Sequence, residues 1–212
     1  RVTVPLEKIE NSWKKPEVKI LVGPGRHVVI YPLSVRSLLN VVFCIEENRW
    51  TAEGWSNNVD PDEISKEFEN FRDLHNIWDQ ITDAQKWGLF GYKNEFNWYH
   101  NNVALLGDSC HPMLPYLAQG ANQALEDAAA LSFFLVEKSA LGFSNSFKFY
   151  GEYRQGRVAK VQKAAQRNAK IYHLSNLPTT FVLHKSLKFI SNVYPNFLLS
   201  RFDWLYDYEI PN

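Results

Sequence analysis

The 212-residue chain carries 23 Lys and Arg against 23 Asp and Glu, so no charge excess points to nucleic acid or to an anionic membrane surface. Hydrophobic residues make up 45% and aromatic residues 15%, enough to pack the core of one large domain or of parts of two. Cys44 and Cys110 are the only cysteines, too few and too far apart for a disulfide framework, no apolar run is long enough to span a bilayer, and no signal peptide is recognised, so a cytoplasmic protein is expected.

Residues 16–56 read as β-rich. The runs Val18–Val22, His27–Pro32 and Leu38–Ile45 are short, apolar and bounded by Gly, Pro, Ser and Asn, which predicts neighbouring antiparallel strands. Gly23-Pro24-Gly25 is followed by a strand-like run rather than a helix, so it reads as a hairpin turn and not as a phosphate cradle. His27 and Tyr31 are four residues apart on one strand and therefore share a face. Two readings stand side by side: a pair facing a ligand, or a packed Tyr with a solvent-facing His near a turn.

Asp60-Pro61-Asp62-Glu63 is a helix-entry signal with Asp60 as cap and Pro61 in the first turn. Ile64, Phe68 and Phe71 recur at helical spacing behind it, and a second short piece runs through Leu74, Ile77 and Ile81. Trp87–Gly91 reads as a strand and Trp98–His100 as a turn. Trp87, Phe90 and Trp98 are candidates either for an aromatic pocket or for plain core.

Val103–Leu106 is an apolar run that suits a buried strand. Gly107-Asp108 ends it with a carboxylate, and Pro112 and Pro115 stiffen the loop that follows. A helix is predicted from Ala121, with Ala124, Leu125, Ala128, Leu131 and Leu135 on its apolar face. The free backbone N–H groups of Gly120, Ala121 and Asn122 and the positive helix end would favour negative charge nearby. The bland alternative is a strand–loop–helix connection in which Asp108 is only a cap. A metal reading of Cys110 and His111 lacks further ligands at suitable spacing, so no metal is expected. A Cys110–His111 nucleophilic pair is disfavoured because sequence neighbours rarely face each other. After a turn at Gly142, Ser144 or Ser146 is expected to cap a long helix from Phe147 to about Lys170. Apolar segments follow at 180–190 and 193–202.

The ordered set Gly107, Asp108, His111, Pro112, Pro115, Gln119, Gly120, Asn122, Glu126, Asp127 and Ala128 closely resembles the second flavin motif of the FAD-dependent aromatic hydroxylases of the salicylate hydroxylase type. Ser109 and Cys110 stand where that family usually has two alanines. The run Tyr150-Gly-Glu-Tyr-Arg154-Gln-Gly-Arg157 and the tail Asp203-Trp-Leu-Tyr206 are similar to the family as well. The resemblance implies that Asp108 binds the ribityl chain of FAD and that Gly107 belongs to the same cofactor site. It implies further that the backbone of Gly120, Ala121 and Asn122 faces the pyrimidine edge of the flavin, and that Pro115 lies where substrate meets the ring. His111 is then a structural residue beside the flavin, and Arg154 and Arg157 hold their helix onto the FAD domain. Family members use a His and a Tyr at similar strand positions to grip hydroxybenzoates, which makes His27 and Tyr31 candidates to bind a phenol and draw off its proton.

The expected fold class is α+β: an antiparallel substrate-domain sheet (1–100), the C-terminal strand–helix part of a Rossmann-like FAD-binding domain (101–140) and C-terminal helices (141–212). The resemblance implies an NAD(P)H-consuming monooxygenase that uses dioxygen to hydroxylate a small phenolic acid. The chain opens on Arg1 and contains neither the amino-terminal FAD fingerprint nor the middle Asp-Gly motif of the family, so it reads as a carboxyl-terminal portion. Its expected partner is the missing FAD-binding portion or a complementing chain, and a homodimer stays open; neither nucleic acid nor membrane is expected. Two alternatives remain: a non-catalytic fragment or half of a split flavoprotein, and another flavoprotein branch such as the quinone-pathway hydroxylases.

Overall fold

Alternating residues with β-branched side chains give the amino-terminal part its sheet. The computed structural model describes residues 1–47, 54, 57–90 and 97–210. Strands β1 (Val2–Pro5), β2 (Lys19–Gly23), β3 (Arg26–Leu33) and β4 (Leu38–Ile45) pair antiparallel in the order β1-β4-β3-β2. The last three match the runs read from sequence. Gly23 pairs with Arg26 across Pro24-Gly25, and Gly25 takes φ +67°, a backbone that glycine adopts without a Cβ penalty. The proposed hairpin turn is therefore present.

The chain divides into two compact units, residues 1–88 with 172–177 and residues 89–171 with 178–212. In the first unit the sheet is two-faced. Val28 and Ile30 of β3 join Leu39 and Val41 of β4 and Val2 and Val4 of β1 in a buried layer. Phe68, Leu74, Ile77 and Ile81 cover that layer from the segment that follows. That segment holds β5 (Asn57–Asn58), α1 (Pro61–Glu67), α2 (His75–Trp78) and β6 (Gln85–Lys86). Asp60 caps α1 as predicted, accepting from the Asp62 N–H at 3.0 Å, with Pro61 in the first turn. Period-two alternation sends His27, Val29 and Tyr31 to the other face, where His27 lies opposite Cys44 and Tyr31 opposite Asn40. His27 is only 2% exposed, so the solvent-facing reading of this residue is wrong.

No strand covers residues 87–90; the short strand is Gln85–Lys86 instead, and Gly91 lies outside the described residues. Phe90 is 39% exposed, whereas Trp98 is fully buried in the core of the second unit. Residues Tyr99–His100 form β7 rather than a turn, paired with β8 (Val103–Ala104) around the left-handed Asn101. The predicted buried strand at Val103–Leu106 is thus shorter, and Val103 is 62% exposed.

Helix α3 (Gly120–Glu137) begins one residue before the predicted start. Helix α4 (Phe143–Tyr172) begins at Phe143, so neither Ser144 nor Ser146 caps it; Ser146 instead donates its hydroxyl to the Gly142 carbonyl. Helices α5 (Leu177–Val193), α6 (Pro195–Ser200) and α7 (Asp203–Tyr206) complete the described chain. No helix among the described residues is long and apolar enough to cross a membrane. The fully buried residues of α3 are Gln123, Asp127 and Ala130; of the predicted apolar set Leu131 packs against the core, but Leu125 is 69% exposed and Ala128 is also exposed. The reason is a buried ion pair, described next.

Candidate functional site

The Gly-Asp stretch is shaped by a buried carboxylate. Asp127, fully buried on α3, accepts from the Gly107 N–H at 3.0 Å, from His111 Nε2 at 2.5 Å and from Arg154 Nε at 2.8 Å. Burial pushes its pKa up, but the hydrogen bonds from His111, Arg154 and Gly107 together outweigh this and hold the carboxyl below its usual range. Arg154, itself fully buried, also donates to Glu126 at 2.6 Å and to the Gln123 side chain at 2.8 Å. Arg157 donates to both oxygens of Glu126, at 3.2 and 3.0 Å, and to the Trp204 and Leu205 carbonyls at 2.7 and 2.8 Å. The two arginines therefore hold α4 against α3, and Arg157 ties α7 to α4.

Helix α4 then holds the loop along its length. Its buried stripe, Tyr150, Arg154, Val158, Val161 and Ala165, recurs every three or four residues. Beside that stripe, three side chains reach loop carbonyls: Tyr150 to Leu105 at 3.1 Å, Gln162 to Pro112 at 3.1 Å and Asn168 to Tyr116 at 3.3 Å. A loop tied at three carbonyls and at the Gly107 amide can hold one shape without its own regular structure. Gly107 has φ +61°, and a Cβ there would lie 3.1 Å from the Ala124 Cβ, so both backbone and packing call for glycine.

The result is an exposed rim on a fixed base. Asp108 is exposed, and its Oδ1 lies 3.7 Å from where a Cβ on Gly120 would stand, at the first residue of α3. No side chain caps that helix start: Gln119, in the cap position, is buried. Ala121 and Asn122 follow, both exposed, with first-turn N–H groups that have no partner within the helix. Pro115 is exposed and opens a short 3-10 turn, Pro115–Leu117, which ends on Ala118 in the left-handed region at φ 52°. For a residue with a Cβ this conformation costs roughly 1 kcal/mol, and such strain gathers at binding loops. Gly107, Asp108, Gly120, Ala121, Asn122 and Pro115 thus lie on one loop–helix element of the second unit. A carboxylate that can accept from hydroxyls, beside uncapped amide donors, fits the ribityl chain and polar edge of a flavin.

Cys110, His111 and Asp127 place ligand atoms within 4.8 Å of one another, a grouping hidden in sequence because Asp127 is 16 residues from His111. It does not suit a cation. The Arg154 guanidinium already holds the Asp127 carboxylate, His111 Nε2 is engaged by the same carboxylate, and the Cys110 thiol stays protonated. Burial, then the Asp127 charge, pushes that thiol up to about 12, while its Sγ donates to the Gly107 carbonyl at 3.3 Å. A Cys110 nucleophile is excluded on the same grounds.

His27 and Tyr31 belong to the first unit. His27 Nδ1 lies 2.7 Å from Nε2 of His173, whose Nδ1 lies 3.5 Å from a Glu46 oxygen. Burial first, and the neighbouring His173 second, lower the His27 pKa to about 4, so its imidazole is neutral at pH 7. Sequence reading missed His173 and Glu46, the former 146 residues from its partner; it also missed Asp127 as the hub, although the residue stood inside the motif.

A family model described as FAD binding domain matches residues 2–165. The chain is 28% identical over 210 residues to 3-amino-4-hydroxybenzoate 2-monooxygenase PtmB3 of Streptomyces platensis, covering 99% of this chain and 51% of that protein. It is 30% identical over 175 residues to 3-hydroxybenzoate 6-hydroxylase 1 of Aquipseudomonas alcaligenes, covering 82% of this chain and 44% of that protein. Among solved structures, a salicylate hydroxylase substrate complex superposes with a TM-score of 0.78 at 21% identity, over 99% of this chain and 53% of the other. The chain spans about half the length of the relatives it matches.

Proposed function

Because this chain belongs to the FAD binding domain family, we propose that the intact protein is an FAD-dependent monooxygenase that hydroxylates a phenolic aromatic acid with NAD(P)H and dioxygen. The observation that carries this reading is the exposed Asp108 carboxylate beside Gly120 at the uncapped start of α3. Hydroxybenzoates and salicylate in the relatives' names support the substrate class. When bound, the flavin supplies the redox chemistry and the activation of dioxygen.

The chain's own residues have four tasks. Asp108 accepts hydrogen bonds from the ribityl hydroxyls. The amides of Gly120, Ala121 and Asn122 and the helix end favour negative charge at the polar edge of the ring. Pro115, rigid in its turn, forms the wall beside the ring. His27, neutral at pH 7, accepts the substrate's phenolic proton, and Tyr31 on the same strand face hydrogen-bonds the substrate.

Replacing Asp108 with Ala in the intact protein is expected to lower flavin content after gel filtration sharply while leaving the thermal midpoint of the apoprotein unchanged. Full flavin retention would remove Asp108 from the site. NAD(P)H oxidation across a panel of phenolic acids, with product analysis, tests the activity itself. The alternative of a fragment or split flavoprotein that needs a partner is separated by the absorbance of this chain purified alone. Bound flavin without a second chain argues against it.

A further inference from the structure

The balanced charge of the chain is not evenly spread. Residues 153–202 contain nine Lys and Arg and no Asp or Glu, although the whole chain carries 23 charges of each sign. Arg154 and Arg157 are engaged by Asp127 and Glu126. The other seven cations are exposed, and none of them makes an ion pair among the described residues. Four of them, Lys160, Lys163, Arg167 and Lys170, recur at three- and four-residue spacing and form a cationic stripe along one face of α4.

The same acid-free stretch holds eight exposed large apolar residues between Phe181 and Leu199. On α5, Leu183 and Ile190 are half-buried and seven residues apart, which marks the inward stripe. Beside it runs a second stripe, Phe181, Val182, Phe189 and Val193, and all four are exposed. Lys185 stands inside this second stripe, four residues after Phe181 and four before Phe189, with its Nζ 5.5 Å from the centre of the Phe181 ring. Lys188 lies next to Phe189. The pattern continues through α6, where Phe197 and Leu199 are exposed, to Arg201. A helix that is apolar on more than one face is normally covered on more than one face.

Charge and composition select the cover. A second copy would set the same cations against each other, a like-charge juxtaposition that disfavours pairing. A protein groove suits Lys185 poorly, because lysine is depleted from the dry centre of protein interfaces. A bilayer surface suits it well: the apolar stem lies among acyl chains while the ammonium reaches the headgroups. Bulky apolar residues with lysines among them and no acid nearby are the pattern of a helix that lies in the plane of an anionic membrane. We propose that α5 and α6 dock the protein on an anionic lipid bilayer. Phe181, Val182, Phe189 and Val193 enter the acyl boundary, and Lys185, Lys188 and Arg201 meet the headgroups. The protein lies on the bilayer through these helices rather than crossing it with them, since no described helix is long and apolar enough to span one.

The test is sedimentation of the intact protein with lipid vesicles at low salt. Vesicles of phosphatidylcholine and phosphatidylglycerol in equal parts should carry the protein down, and vesicles of phosphatidylcholine alone should not. Raising the salt should weaken binding to the anionic vesicles about tenfold or more, because exposed charges are screened. Reversing two charges at once, Lys185→Glu with Lys188→Glu, should weaken it by about tenfold or more. Phe189→Ser should weaken it several-fold. Both variants should keep the thermal midpoint, since the three positions are exposed. Insertion is read separately. Cys44 and Cys110 are buried, so a fluorophore on Phe189→Cys reports this face, and its emission should shift to the blue with anionic vesicles only. If one variant does not fold, the other variants and the salt dependence decide. No binding to anionic vesicles overturns the proposal. A label already shielded in the free protein also overturns it, because a polypeptide then covers the face. Binding that the variants leave unchanged, or binding without a shift of the label, overturns it as well.

Discussion

Truncating Arg154 to Met gives the sharpest test of the buried network, because the guanidinium neutralises two acids from inside the protein. At 2.8 Å, its attraction to Asp127 is roughly 6 kcal/mol at an effective dielectric of about 20, before desolvation is subtracted. Removing one partner of such a pair leaves the other charge buried, and losses of about 3–5 kcal/mol are typical. At about 2–4 °C per kcal/mol for a cooperative unit of 150–250 residues, that corresponds to a fall of roughly 6–20 °C in thermal midpoint. Arg154→Met in the intact protein should fall in this range. Asp127→Leu should lose a similar amount, since Gly107 N–H and His111 lose their acceptor as well. The double variant should lose far less than the sum, because a hydrophobic pair leaves no uncompensated charge. Acid adds a second reading. The Asp127 carboxyl is held below its ordinary value, so its stabilisation is present above about pH 4 and is lost as pH falls through the folded value. The double variant should therefore show a shallower acid limb. A single-variant loss below about 1 kcal/mol, or strict additivity, would refute the reasoning.

Two further outcomes follow from the same geometry. Gly107→Ala sets a Cβ 3.1 Å from the Ala124 Cβ at φ +61° and should lower stability by about 1–3 kcal/mol in urea unfolding; Gly120→Ala, with only Asp108 Oδ1 at 3.7 Å and no positive φ, should leave stability nearly unchanged. The neutral, buried His27 should make stability fall as pH drops from about 6.5 toward about 4, by up to about 3 kcal/mol in urea midpoints, and His27→Gln should flatten that window.

How much of this could be read beforehand depended on how far each signal reached along the chain. The strands β2 to β4 and the Asp60 cap are local: alternation, turn residues and a side chain bonding two residues ahead decide them. The predicted face of α3 held at Leu131 but failed at Leu125 and Ala128 for a non-local reason. A pattern of Ala and Leu assumes that carboxylates face water, but Arg154, 27 residues away, makes it favourable to bury Asp127 and turn Leu125 outward. The same blindness hid His173, whose contact with His27 exists only where the chain returns to β3. Ser144 and Ser146 misled because a serine at a plausible cap position is common, and helix α4 simply began earlier, at Phe143.

The motif's three acids then sort themselves by neighbour rather than by type. Glu126 is engaged by Arg154 and Arg157, and Asp127 by Arg154, His111 and an amide. Asp108 alone of the three has no side-chain hydrogen bond among the described residues, and it stands exposed on a loop that Asp127 grips at Gly107 and His111. Among the described residues this carboxylate, at the start of an uncapped helix, holds no other side chain or backbone group in place. Its position makes physical sense as the acceptor for something that arrives with hydroxyl groups, and the rigidity around it means that a ligand would not have to order the loop as it binds.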